Sequence, residues 1–141
     1  MTVGFDRENL PSCWHEFRHI NRYWDKKSGM PTAKILPGEF YVTGHDELIT
    51  TVLGSCISAC VRDPKAGLGG MNHFMLPLQS KQSHSNEFGS AARYGNFAME
   101  QMINDILRNG GDRSRLEIKI FGGGKVMKGM TDVGKRNIAF V

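Results

Sequence analysis

Three cysteines and five histidines give this chain its main means of nucleophilic or acid–base chemistry. A pattern in the sequence would bring two of them, Cys56 and His73, together. From Leu48 to Val61 the chain is rich in β-branched and small apolar residues, broken only by Gly54-Ser55. Arg62-Asp63-Pro64-Lys65-Ala66-Gly67 is turn chemistry, with proline setting one φ and glycine permitting a positive one. Leu68 to Leu76 is apolar again and stops at Pro77, which cannot donate to a sheet ladder. The pattern predicts a hairpin. With its turn centred between Pro64 and Lys65, Cys56 and His73 stand directly opposite on one face, where Cβ atoms lie about 4.5–5.5 Å apart. A shift of register by one residue would place them on opposite faces.

A thiol near neutral pH is mostly protonated, and only the thiolate attacks well. An adjacent imidazole can take that proton and later return it to a leaving amine. Gly54 and Ser55 leave little bulk beside the sulfur, and backbone N–H groups there could hold an oxyanion, a contribution of about 2.7–4 kcal/mol in known sites. A third group usually orients the base. Thr50 lies on the face of Cys56 by strand alternation, whereas Asn72 points the other way. The residues therefore suggest a hydrolase with Cys56 as nucleophile, His73 as base and Thr50 as its support.

A plainer reading stands beside this one, because free cysteine is among the most buried residue types and Cys56 could pack as a small hydrophobe. Cys60 shares its parity and is expected in the core. Cys56, Cys60, His73 and His84 match no standard zinc spacing, and Cys13, His15 and His19 are no stronger as a metal set. Gly122-Gly123-Gly124-Lys125 lacks the Ser or Thr of a phosphate loop, since Val126 follows the lysine. Gly67-Leu68-Gly69-Gly70 is not a dinucleotide fingerprint. Arg108, Arg113, Arg115 and Lys119 come with no recognition motif and read as a solvated face.

The elements that must position these residues are those of one domain. The chain has 141 residues, 40% of them hydrophobic and 23% charged, which is a globular composition. The net charge of +4 selects no class of partner. The odd cysteine count argues against a disulfide framework, the N-terminus has no apolar signal region, and no apolar run approaches the roughly 20 residues needed to cross a bilayer. A cytoplasmic protein is expected. Residues 1–37, with Trp14 and Trp24 among basic residues, read as an extension, and 38–141 as the working domain. Phe40-Tyr41-Val42 predicts a strand. Apolar residues at helical spacing, Tyr94, Phe97, Ala98, Met102 and Ile106, predict a helix from about 90 to 109, stopped at Gly110-Gly111. Leu116, Ile118 and Ile120 alternate with Glu117 and Lys119, as in a half-buried strand. Gly134 to Val141 reads as the opening of a helix that needs further chain to complete it.

The run Thr51-Val52-Leu53-Gly54-Ser55-Cys56, with Asp63-Pro64 and Gly69-Gly70-Met71-Asn72-His73-Phe74-Met75-Leu76-Pro77, closely resembles the CheD family of chemoreceptor glutamine deamidases. The resemblance extends through Arg93-Tyr94-Gly95, Lys119-Ile120-Phe121-Gly122-Gly123 and Gly134-Lys135-Arg136-Asn137, from about Pro37 onward. It implies a nucleophile at Cys56, a histidine at His73 and a threonine at Thr50. It also implies an α+β fold, a three-layer β-sandwich flanked by helices and similar to the deamidase domain of cytotoxic necrotizing factors. The implied activity is conversion of glutamines on the cytoplasmic helices of methyl-accepting chemotaxis receptors to glutamates, with release of ammonia and without metal or cofactor. CheC phosphatase is an implied partner; nucleic acid is not, and the chain is not expected to insert in a membrane. Relative to the family the chain is truncated at its C-terminus. A regulator that binds receptors or CheC without turnover is the alternative.

Overall fold

The structure, a computed structural model, describes residues 10–75 and 86–124, with side chains throughout except at 86–94. Leu76–Pro77, His84 and the segment from Gly134 to Val141 lie outside the described residues. Within them the fold is α+β, with two sheets and one helix.

The first sheet is built where an extension was expected. Strands β1 (Asn21–Asp25) and β2 (Met30–Lys34) pair antiparallel, and β4 (Leu48–Thr50) adds in parallel to β2. The β1–β2 turn closes because the Asp25 carboxylate accepts from the Lys27 and Ser28 amides and Gly29 takes a φ of 67°. Phe17, Ile20, Ala33 and Ile35 are buried in the main hydrophobic cluster, and Trp14 packs against it. The described part of this stretch, from Cys13 to Ile35, is thus joined to the core and not an appendage to it. Its basic residues mislead because most of them, such as Arg18, His19, Lys26 and Lys27, occupy exposed positions around these apolar ones, while Arg22 turns inward to the buried Glu47 carboxylate.

The second sheet runs β3 (Phe40–Thr43), β6 (Leu68–Asn72), β5 (Ile57–Asp63), β7 (Glu117–Gly122), antiparallel throughout. Helix α1 (Asn86–Arg108) packs on it with Met102 and Ile106 fully buried. Gly70 is the close-approach point, since a Cβ there would stand 2.9 Å from Val42 and 3.3 Å from Met102. The helix stops as expected: Gly110 has a φ of 109° and the Gly111 amide donates to Ile106 O at 2.9 Å. Two expectations fail at the edges. Phe97 is 61% exposed although it belongs to the helical stripe, and Ile118 and Ile120 of β7 are exposed although they alternate correctly. Among the described residues β7 is bonded on one side only, to β5, and no described element covers these side chains.

The predicted hairpin is present with a different register. Asp63 pairs with Leu68, Cys60 with Met71, and an isolated bridge joins Ile57 to Phe74. The turn is centred between Lys65 and Ala66, one position later than expected. Asp63 sets it, because its carboxylate accepts from the amides of Lys65 and Ala66 at 3.0 Å each.

Candidate active site

The register decides which side chains meet. Continuing it from the Ile57–Phe74 bridge places Ser58 opposite His73, and Cys56 opposite Met75. Cys56 and His73 are therefore diagonal and not directly opposite. Moving the turn centre by one position changes the pairing by two residues and preserves parity, so the strand register carried one residue past Ile57 keeps Cys56 on the His73 side. A diagonal pair has Cβ atoms up to about 7–8 Å apart, within reach of an imidazole. Asn72, as expected, faces the other way: its amide oxygen accepts from Ala59 N at 2.8 Å and its nitrogen meets Met99 Sδ on α1.

Thr50 does not hold the histidine. The hydroxyl at His73 is that of Thr51, with Oγ1 2.7 Å from Nδ1. Alternation from Thr50 to Cys56 assumed one continuous strand, but the chain leaves the first sheet after Thr50 and enters the second at Ile57. Parity is lost across that crossing. Thr50 instead continues the β2–β4 pairing, opposite Lys34, with its carbonyl accepting from Ile35 N at 3.0 Å. Gly54 and Ser55 lie in the crossing, immediately before Cys56.

The Thr51 hydrogen bond fixes the histidine's tautomer. Thr51 Oγ1 also donates to Ile35 O at 2.8 Å, which uses its only proton. Toward the ring it must accept, so Nδ1 carries hydrogen and Nε2 holds the lone pair of the neutral ring. His73 is buried, its amide donates to Glu39 O, and its carbonyl accepts from Gly38 N. Nε2 is buried with no hydrogen-bond partner. Burial pushes the His73 imidazole below its usual value and the Cys56 thiol above its own. Both shifts favour the neutral forms, a thiol and an imidazole with a free lone pair.

A second strand end anchors the nucleophile. Gly123 N donates to Cys56 O at 2.9 Å and Gly124 N to Gly54 O at 3.1 Å. Gly122 and Gly123 take positive φ values of 103° and 74°, and a Cβ on Gly122 would lie 2.1 Å from Cys56 O. The glycine run that failed as a phosphate loop is the clamp on the Cys56 loop. Its signal in the sequence was three successive glycines at a strand end, which mark a close backbone approach without naming the partner. Cys60, on the Cys56 face, lines an open cavity of about 360 Å³ between β4 and the hairpin, together with Ile49, Met71 and Lys119. Cys13 is half-buried near the start of the described chain.

Residues 75–141 match the family model described as CheD chemotactic sensory transduction. Over 134 residues, 93% of this chain, the sequence is 58% identical to a protein of Halorhodospira halophila named "Probable chemoreceptor glutamine deamidase CheD", of which those residues make up 62%. Proteins with the same name from Hahella chejuensis and Hydrogenovibrio crunogenus are each 57% identical, over 89% and 82% of the chain and 59% and 61% of their own lengths. The chain spans about three fifths of the length of these curated relatives.

Proposed function

We propose that the chain, which is similar over most of its length to proteins named chemoreceptor glutamine deamidase CheD, is a protein-glutamine deamidase of that family acting on chemotaxis receptors in the cytoplasm. The observation that carries this reading is the Thr51–His73 hydrogen bond, which leaves a buried, unprotonated Nε2 on the face of Cys56. A histidine so tied can serve as a base, and beside a thiol it can take the proton that nucleophilic attack requires removed.

The reaction then runs as two proton exchanges about Nε2. His73 accepts the Cys56 proton as sulfur bonds to the side-chain amide carbon of a receptor glutamine. The oxyanion is held by backbone N–H groups of the Gly54-Ser55-Cys56 turn. As the intermediate collapses, Nε2–H gives its proton to the nitrogen, the C–N bond breaks and ammonia leaves. Water attacks the thioester, passing a proton to Nε2. The C–S bond breaks, glutamate is released, and the proton returns to sulfur. Thr51, in place of Thr50, keeps the ring oriented throughout. No metal or organic cofactor enters this scheme.

The same reading takes the whole protein as a three-layer β-sandwich flanked by helices, similar to the deamidase domain of cytotoxic necrotizing factors, with CheC phosphatase as a regulator. The test is incubation with a cytoplasmic receptor fragment, read by intact mass. Each deamidated glutamine adds about one dalton, and Cys56→Ala gives none because the thiolate carries the attack. Turnover by Cys56→Ala would overturn the assignment. Receptor binding without mass gain by the folded wild-type chain would identify a regulator that docks without catalysis.

A further inference from the structure

Large apolar side chains are exposed on three sides of the nucleophile. Phe121 of β7 is 52% exposed and pairs with Ser58, which the register sets opposite His73, so these residues form one row across the sheet. Residues in a row share a face, as Arg62 and Glu117 show two rows away: they also pair, and their side chains meet at 2.6 Å. Cys56 precedes Ser58 by two residues, which makes Phe121 its diagonal neighbour, with Cβ atoms about 7–8 Å apart. On the β6 side the continued register sets Met75, also exposed, opposite Cys56. The crossing between the sheets adds Val52, 77% exposed and next to the Thr51 that bonds His73. Single exposed apolar residues need no reason, but three around one reactive group form a patch that marks an interaction.

We propose that Val52, Met75 and Phe121 are the docking collar for an amphipathic α-helix of the substrate, seated with its apolar face on them and its glutamine at Cys56. This deepens the deamidase reading and rests on it. The patch surrounds the nucleophile, so its occupant is whatever reaches the sulfur. A helix fits the spacing. Rows on one face of a strand are about 6.8 Å apart, close to the 5.4 Å rise of a helical turn. A glutamine over Cys56 therefore puts the residue three or four positions away over the Phe121 row. An extended peptide fits worse. It would add to the edge of β7 that is open among the described residues, about 9–10 Å from β5 and beyond the reach of a glutamine side chain. Charge supplies a second feature. Lys119, one row beyond Phe121 on the same face, lines the open cavity beside β4 and makes no ion pair among the described residues. It complements an acidic residue two to three turns from the glutamine.

The test uses the cytoplasmic receptor fragment, with ammonia release for kcat and KM and direct binding measured in a Cys56→Ala background. Phe121→Ser and Val52→Ser should each raise KM and weaken binding about tenfold while kcat stays constant, the mark of binding shared by ground and transition states. Alkylation of Cys56 by iodoacetamide should not change, which shows that the nucleophile is intact. Phe121→Leu should restore both KM and binding. Trp24→Ser, at the far edge of the first sheet and also exposed, should alter neither. Lys119→Glu should raise KM at low ionic strength and lose that effect in high salt. On the substrate, aspartate at the apolar position one turn from the glutamine should cost the wild-type chain about as much as Phe121→Ser does. Unchanged KM and binding in both collar variants would overturn the proposal. So would a Phe121→Ser chain that loses self-association at unchanged KM, since the face would then belong to a second copy. Wild-type turnover indifferent to the collar would sink the docking proposal and leave the deamidase reading standing. Collar-dependent binding without any turnover would uphold the docking surface and sink the deamidase reading instead.

Discussion

A threonine hydroxyl carries a single proton, and at Thr51 that proton goes to Ile35 O, which leaves His73 Nδ1–H as the donor to it. Thr51→Val keeps the shape of the side chain but loses both bonds, so the ring can rotate and exchange tautomers. Hydrogen bonds that support a charged group contribute about 1.5–3 kcal/mol, and kcat should fall about 10- to 100-fold. Thr50→Val, in the first sheet and bonded through its backbone, should stay within about threefold of wild type, a loss of under 1 kcal/mol. Equal losses in the two variants, measured as ammonia release, would remove Thr51 from its role. A second prediction concerns protonation. Burial raises the Cys56 thiol and lowers the His73 ring. A preformed thiolate–imidazolium pair would require the opposite shifts. Alkylation of Cys56 by iodoacetamide, followed on its own peptide by mass, should rise through a midpoint above that of a free thiol, about 8.5. A plateau of high reactivity at pH 6 would contradict it.

At the scale of elements, a run of three glycines does what no side chain could. The peptide of Gly122 lies so close to Cys56 O that any Cβ would collide with backbone, and its φ of 103° excludes ordinary residues as well. Gly122→Ala should therefore push the β7 end away from the nucleophile loop. It should cost at least the strain of a left-handed residue, about 1–3 kcal/mol, and slow Cys56 alkylation. Gly29→Ala is the control. Gly29 also has a positive φ, but nothing lies within 4 Å of its Cβ position, so stability should drop while alkylation is unchanged. Slowed alkylation in both variants would mean that the effect is global.

The same elements show what could be read in advance. The hairpin was legible because alternation and turn residues are local, and parity survived a misplaced turn. Thr51 was not, because the chain changes sheets between Thr50 and Ile57 and alternation carries no information across a crossing. The β1–β2 hairpin was hidden by basic residues around Phe17 and Ile20, whose burial depends on sheets formed elsewhere. The Gly122–Cys56 contact joins segments far apart in sequence, where spacing is silent.

At the scale of the molecule, the site depends on how the hairpin turn is joined to the chain entering β7. Asp63 makes that junction. Its buried carboxylate accepts from the amides of Lys65 and Ala66 within the turn. It also accepts from Asp112 N at 2.8 Å and from Arg115 through Nε and Nη2, just before β7 begins. The Arg115 hydrogen bonds, with the backbone amides behind them, hold this carboxyl far below the usual carboxylate range against the opposing effect of burial. A depressed folded-state value means that ionised Asp63 stabilises the fold above the unfolded value, about 3.9, and that this contribution is lost as pH falls through the folded one. Asp63→Asn preserves shape but leaves Arg115 without its charged partner. At pH 7 the variant should melt well below wild type, with the gap closing progressively below about pH 4, where the wild-type carboxylate in the unfolded chain takes up its proton. Because the same junction aligns β7 with β5, the variant should also expose Cys56 O from its Gly123 clamp and blunt alkylation at pH 7. A melting difference between the two proteins that does not change from pH 7 to pH 3 would show that Asp63 acts through shape alone, and would leave the charge pairing without a part in holding the sheet together.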